Sequence, residues 1–340
     1  CYQALGQLET AVKYYKQALV LKPGNAEAHC NLGVTLQELG QLEAAVKHYE
    51  QALVTKPNYA EAHCNLGVTL KEHGQLEAAV KHYEQALVIK PDYAEAHYNF
   101  GNTLKELGQL EIAVKHYEQA LAIKPNYAEA KWNLSLTQLV TGNFKAGWLN
   151  YESRWKKENY EAERRYPQPF WDGSSLVGKT LFLYLEQGAG DSIIFIRYVK
   201  VLSVETSNII VECPKNLHRL FSTIPEIHTL VTKSDEFKDF DFHAPLLSLP
   251  GILNTTLKTI PVNIPYLFAD DHIVSPIVTQ PKRLNIGIVW AGNPMQKDDK
   301  KRSVDFSFFS AITGIPNTQL YSLQVGARRA DLSQEDFTNF

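Results

Sequence analysis

The chain has 340 residues, with 34 basic and 37 acidic side chains and a formal net charge of −3. Hydrophobic residues make up 44% and charged residues 21%, the balance of a chain that buries a core rather than a disordered one. Neither the first 150 residues nor the remainder is basic, which argues against nucleic acid as the main partner.

The length leaves room for two or three domains. Cys1, Cys30, Cys64 and Cys213 form no disulfide framework and no paired zinc-ligand spacing, so a reducing, cytoplasmic compartment is expected. No apolar run approaches the ~18–20 residues that span a bilayer. The sequence opens at Cys1, inside a repeat and without an initiator Met, and a truncation is expected there.

The first 160 residues are periodic. Gly6, Gly40, Gly74, Gly108 and Gly142 recur at a constant step of 34 residues, as do Pro23, Pro57, Pro91 and Pro125, and Ala11, Ala45, Ala79 and Ala113. Full units run from Ala26 to Tyr59, Ala60 to Tyr93 and Ala94 to Tyr127, with a half unit before them and a degenerate one after. Within a unit, residues 60–72 and 76–89 each carry apolar positions at helical spacing. Gly74 sits where a helix end favours positive φ, and Pro91 stops the second helix. Ala79 marks a close helix approach, and enlarging it to Leu costs ~1–3 kcal/mol by overpacking. These units resemble tetratricopeptide repeats. That likeness implies helical hairpins stacked into an α-solenoid with one concave groove, since a single hairpin cannot bury its own apolar face.

Asn31, Asn65, Asn99 and Asn133 keep the same step, each one residue before Leu32, Leu66, Phe100 or Leu134. If those large side chains face the partner helix, the asparagines turn about a hundred degrees away from it. A primary amide both donates and accepts, so a row of them pairs with the backbone of an extended peptide. The alternative is that each asparagine bonds a neighbouring loop or caps a turn. The row resembles the asparagine ladder of the O-GlcNAc transferase family, which implies a protein or peptide ligand in the groove. Seven of the eleven histidines also lie in the repeats; equivalent ones sit a repeat apart, so no metal site is expected of them.

The last repeat is rich in aromatics, Trp132, Phe144, Trp148, Tyr151 and Trp155, suited to docking the next domain, and residues 166–170 break the helical pattern. Strands are predicted at 180–185, 208–213, 228–232 and 240–244, with helices at 192–202 and 215–223 between them, the alternation of a doubly wound parallel sheet. Pro261, Pro265, Pro276 and Pro281 space out a connection. A strand at 284–290, a helix near 306–313 and a strand at 320–324 then begin a second α/β domain, too short to close a core by Phe340. The expected domains are therefore 1–160, 166–270 and 282–340.

Two loops are candidates for chemistry, because open parallel sheets bind ligands at the carboxyl ends of their strands. The first holds Gly188, Gly190 and Asp191 but has Ile193 where a third glycine completes a dinucleotide fingerprint, and it lacks the lysine of a P-loop. Asp191 is either a helix N-cap or a carboxylate that takes a proton from an acceptor hydroxyl. The second loop runs through Trp290, Gly292 and Asn293 to Lys301, Arg302 and Ser303. Its cations suit a diphosphate, against which Asp298 and Asp299 weigh.

With Gly190-Asp191 after the first strand and the 290–294 loop followed by Lys301-Arg302-Ser303, residues 166–340 resemble GT-B glycosyltransferases of the heptosyltransferase type. The likeness implies two Rossmann-like lobes, Asp191 as a catalytic base on the acceptor side, and a nucleotide sugar as donor in the second lobe with no covalently bound cofactor. It also implies that the nucleotide-binding part lies beyond Phe340, so that this stretch alone is inactive. A non-catalytic scaffold with a degenerate α/β domain is the alternative. A nucleotide-dependent oxidoreductase is disfavoured by the missing glycine.

Overall fold

In a computed structural model the described residues are 6–156, 166–186, 188–232, 239–268, 283–292, 294, 299–309, 312 and 315–326. Two compact units are present, Cys1–Phe268 and Ala269–Phe340.

Among its described residues the first unit opens with the helices α1 (Leu8–Leu21), α2 (Ala26–Glu38), α3 (Leu42–Thr55), α4 (Ala60–Glu72), α5 (Leu76–Ile89), α6 (Ala94–Glu106), α7 (Leu110–Ile123), α8 (Ala128–Val140) and α9 (Phe144–Tyr151). The glycine between the helices of a hairpin takes the positive φ expected of it, +81° at Gly74. A second glycine sets how closely the helices pack. A Cβ on Gly33, Gly67 or Gly101 would lie 2.7 Å from the ring of Tyr49, Tyr83 or Tyr117, sixteen residues on. These tyrosines are fully buried, as are Ala45, Ala79 and Ala113. Small residues on one helix thus admit one large ring from the next, and the core is this interlock repeated. Leu32, Leu66, Phe100 and Leu134 are buried as expected, and Cys30 and Cys64 pack as unpaired thiols.

After a short 3-10 turn at Glu152–Lys156, the α/β part holds β1 (Leu181–Tyr184), α10 (Ala189–Phe195), α11 (Val199–Leu202), β2 (Ile209–Glu212), α12 (Lys215–Phe221), β3 (Thr229–Val231), β4 (Phe242–Pro245) and α13 (Leu249–Ile252). The four strands are all parallel in the order β3-β2-β1-β4, with Leu181 beside both Ile209 and Phe242. The continuous apolar runs of β1 and β2 fit strands buried on both faces. The expected helix at 192–202 begins earlier, at Ala189, and is broken by a 3-10 turn at Ile196–Tyr198. Residues 169–171 are more than a linker: Trp171 N–H donates to the His243 carbonyl at 2.8 Å, laying this segment along β4.

The aromatics of the last repeat do dock this sheet. Trp132, Trp148 and Tyr151 share one core with Leu181, Leu183 and Ile209, so the expected boundary near residue 160 falls inside one compact unit. Among the described residues no helix is long and apolar enough to cross a membrane.

In the second unit, β5 (Leu284–Ile288) pairs in parallel with β6 (Thr318–Ser322), with the four-residue α14 (Asp299–Arg302) between them. Within the predicted helix at 306–313, Phe306–Phe309 form a 3-10 turn and Ile312 is helical, residues 310, 311 and 313 lying outside the described residues; β6 starts two residues before the predicted strand. Most of the proline-spaced connection, residues 269–282, lies outside the described residues.

Candidate functional site

The four asparagines do not behave alike. Asn31 is exposed, and Asn65, Asn99 and Asn133 are half-buried. Asn65 has only a long contact from its Nδ2 to the Cys30 thiol of the preceding repeat, at 3.9 Å. Asn133 is engaged: its Nδ2 donates to Asn102 Oδ1 at 2.7 Å and to the Tyr98 hydroxyl at 3.3 Å. The same Asn102 oxygen accepts from Tyr117 at 2.8 Å. For Asn133 the expectation of a peptide-gripping amide therefore gives way to the bland alternative of a bond to its neighbours. The cause is local, since Asn102 stands where the other repeats carry Val34, Val68 and Leu136, and Tyr98 stands where they carry Cys30 and Cys64.

A second set of groups meets at the carboxyl edge of the sheet. From β3 the chain crosses back to β4 on the far side of β1, so the order of strands reverses between β1 and β4, the place where open α/β sheets bind ligands. Arg154, from the turn that ends the solenoid, reaches this point. It is fully buried and donates Nε and Nη2 to the two oxygens of Glu186, just past β1, at 2.9 and 2.8 Å. Its Nη2 also donates to Ser248, just past β4, at 2.7 Å, and its Nη1 to Glu152 at 2.7 Å. Ser248 in turn donates to Glu152 at 2.9 Å, and Trp155 lies 4.6 Å from the guanidinium. Such a fork-on-fork pair fixes geometry as well as charge. Sequence reasoning missed it, although a signal was there: Arg154 takes the place held by Ala52, Ala86 and Ala120 in the repeats before it.

Asp191 lies in the first turn of α10, five residues past Glu186. Gly188 occupies the N-cap position and no side chain caps the helix, so Asp191 does not act as its cap. Its carboxyl is half-buried and has no hydrogen-bond partner among the described residues, and burial raises its pKa above the ordinary carboxylate value. Gly188 and Gly190 have no positive φ, and a Cβ on either would meet open space. Packing does not require glycine there, and a ligand can approach the backbone. A cavity of about 460 Å³ opens nearby between α9 and the segment after β4, lined by Trp148, Glu152, Phe170, Ser248, Gly251 and Thr255. Asp191 does not line it.

In the second unit the loop after β5 is largely self-satisfied. The amides of Trp290 and Ala291 donate to Gln324 Oε1 at 3.1 and 3.0 Å, and that of Gly292 donates to Ser303 Oγ at 2.9 Å. Ser303 Oγ donates to Asp299, which is buried, at 2.7 Å. Trp290 is a core residue whose ring meets that of Phe306 at a tilt of 59°. Of the residues expected to meet a phosphate, Arg302 and Ser303 come against Gly292, but the local anion is already Asp299 and the amides already have acceptors. Asn293 and the side chain of Lys301 lie outside the described residues.

Among the described residues no group of three or more metal-ligating side chains converges. Two histidines within each repeat do meet, however, His29 with His48, His63 with His82 and His97 with His116. Comparing equivalent residues across repeats concealed this pairing within a repeat.

Residues 2–40, 36–74, 70–108 and 101–142 each match the TPR repeat family, while the α/β region has no family assignment. Protein FlbA of Caulobacter vibrioides is 23% identical over 212 residues, which cover 55% of this chain and 35% of FlbA. The chain thus spans about a third of the length of that curated relative. Among solved structures, MamA of Desulfovibrio magneticus is 22% identical over 46% of this chain and 86% of its own, with a TM-score of 0.41. YrrB, described as a TPR protein with an unusual peptide-binding site, is 22% identical over 46% of this chain and 80% of its own, with a TM-score of 0.39. These matches lend no support to sugar transfer.

Proposed function

From a chain whose residues 2–142 are TPR repeats, we propose a scaffold that holds an extended segment of another protein along the first-helix face of the solenoid. The observation that carries this reading is the row of Asn31, Asn65 and Asn99, spaced one repeat apart, kept from full burial and, among the described residues, held at most by the weak acceptor thiols Cys30 (to Asn65) and Cys64 (to Asn99). Each amide offers a donor and an acceptor to a peptide backbone and contributes ~0.5–1.5 kcal/mol, so binding is weak and additive. Fluorescence anisotropy with a labelled, unstructured 20-residue Ser/Thr-rich peptide tests it. Changing Asn31, Asn65 and Asn99 together to Ala weakens binding at unchanged helicity; equal affinity removes the reading.

A second reading assigns residues 166–340 to a nucleotide-sugar-dependent glycosyltransferase of GT-B type, with Asp191 as base and Gly188 and Gly190 on the acceptor side. The observation that favours it is the desolvated carboxyl of Asp191, without a hydrogen-bond partner among the described residues, past the carboxyl end of β1 and beside two glycines that packing does not demand. The donor would meet Gly292, Arg302 and Ser303 in this reading, once its phosphates displace the bonds those groups now make among themselves. In the full-length protein Asp191→Asn abolishes transfer from the nucleotide sugar and leaves folding intact. Retained turnover would remove Asp191 as the base, whereas absence of transfer from the unaltered protein leaves the non-catalytic scaffold. A reducing, cytoplasmic setting suits the three buried thiols Cys30, Cys64 and Cys213.

A further inference from the structure

The three histidine pairs share one geometry. Their Nδ1 atoms lie 3.0, 3.1 and 3.0 Å apart, and their ring centroids 5.3, 5.4 and 5.3 Å apart. The first histidine of each pair also holds its Nε2 against a backbone carbonyl, that of Pro23, Pro57 or Pro91, at 3.0, 3.1 and 3.2 Å. A carbonyl only accepts, so in the neutral ring Nε2 carries the proton, and Nδ1 of His29, His63 and His97 is a lone pair. The proton shared across each pair therefore belongs to Nδ1 of His48, His82 or His116.

A ring N–H given to a backbone carbonyl, with the other nitrogen facing inward, is the outer-shell arrangement that orients metal-binding histidines. Two imidazoles bound at about 2.0–2.1 Å to one tetrahedral ion hold their nitrogens about 3.3 Å and their centroids about 5.2 Å apart. The observed centroid spacing already has that value. An ion can enter by a pivot of the rings, without moving the helices that carry them.

We propose that each of the pairs His29/His48, His63/His82 and His97/His116 is a bidentate site for a borderline transition-metal dication such as Zn²⁺, Ni²⁺ or Cu²⁺. Imidazole suits these ions, and both rings are half-buried, so water or a donor atom from a bound partner completes the coordination. On binding, the first histidine supplies its existing Nδ1 lone pair. The second moves its proton from Nδ1 to Nε2 and supplies the lone pair so freed. No electron is transferred, and at neutral pH no net proton is released.

The surroundings set an order among the three sites. Lys16 bears on His48 in addition to His29, whereas the charge acting on His82 or His116 is that of its own partner, His63 or His97. One repeat on, the place of Lys16 is held by Glu50 and then by Glu84. The His29/His48 site is therefore the weakest.

The test is calorimetric titration of the metal-free chain with Zn²⁺ at pH 7.5, in two buffers of different ionisation enthalpy. Up to three saturable sites per chain with the same heat in both buffers are expected. His82→Gln removes one site, and changing His48, His82 and His116 together to Gln weakens binding at least tenfold while circular dichroism is unchanged. Absence of saturable binding, or unchanged binding in the triple variant, overturns the proposal. Should that variant fail to fold, Cu²⁺ electron paramagnetic resonance of the unaltered chain decides. Two imidazole nitrogens per copper support the sites; one or none overturns them.

Discussion

The solenoid and the sheet it abuts are built on different principles, although they share a core. In the solenoid one packing solution is written several times, so a departure from the pattern can be seen against its own neighbours. Arg154 stands in a place of buried alanine, Asn102 in a place of valine, and Gly147 in the place of Ala113, where a Cβ would strike Leu139 at 2.7 Å. Each departure has a local counterpart: an ion pair, a hydrogen-bonded amide, a leucine pressed against the glycine. The sheet has no such internal reference, and its strands are only three or four residues long. Repetition separates packing residues from those retained for another reason; a unique fold does not.

The largest effect expected from breaking this contrast is at the junction. Arg154→Met takes the guanidinium away from the buried Glu186 carboxylate and destabilises the chain by about 3–5 kcal/mol in urea unfolding. Adding Glu186→Leu recovers most of the loss, because the uncompensated charge goes with it. A neutral Arg154→Met would mean that solenoid and sheet are joined by apolar packing alone.

Next in size is Gly67→Ala. Alanine is ordinarily favoured over glycine in a helix by about 1 kcal/mol. Here its Cβ meets the fully buried Tyr83 ring, and the substitution costs ~1–3 kcal/mol instead. Gly188→Ala, where a Cβ meets open space, is close to neutral in the same assay.

A smaller effect separates the asparagines. Asn133→Ala forfeits its bonds to Asn102 and Tyr98 and lowers stability by ~0.5–1.5 kcal/mol. Asn99→Ala leaves stability nearly unchanged and weakens peptide binding. The opposite ranking would place the ligand-facing row elsewhere on the helices.

The smallest is a dependence on pH. His48, His63, His82, His97 and His116 all have pKa values lowered by burial, with the facing ring adding to the effect at His48, His82 and His116. Between their folded values and the ordinary 6.5 the unfolded chain binds more protons, so stability is complete above about pH 6.5 and declines as pH falls towards 4. Thermal unfolding followed from pH 7.5 to 4.5 reads this decline. Replacing His116 by Gln flattens it.

Much of this was legible in the sequence, and the exceptions have physical reasons. The repeat boundaries, the interhelical glycines and the buried apolar rows followed from one period, because helix packing constrains the same positions in every unit. The parallel sheet was legible from apolar runs separated by helices. The start of α10 was not, since Gly188 and Gly190 on either side of Ala189 read as a loop rather than a helix. The fate of Asn133 depended on residues 31 and 35 positions away in the preceding repeat, and the histidine pairs joined residues 19 apart on two helices. Both are contacts that a single-helix pattern does not contain. That the amides of the loop after β5 are already satisfied was not legible either, because the acceptor for Trp290 and Ala291, Gln324, arrives from beyond β6.

The central claim, that the amide row grips a peptide by its backbone, is tested most directly by altering the peptide. Anisotropy titrations would compare a labelled 20-residue peptide with a version N-methylated at alternate amides and with one of the same length and unrelated side chains. The account predicts that N-methylation abolishes binding while the unrelated sequence binds within a few-fold. Binding that survives N-methylation but is lost on changing the side chains would contradict it.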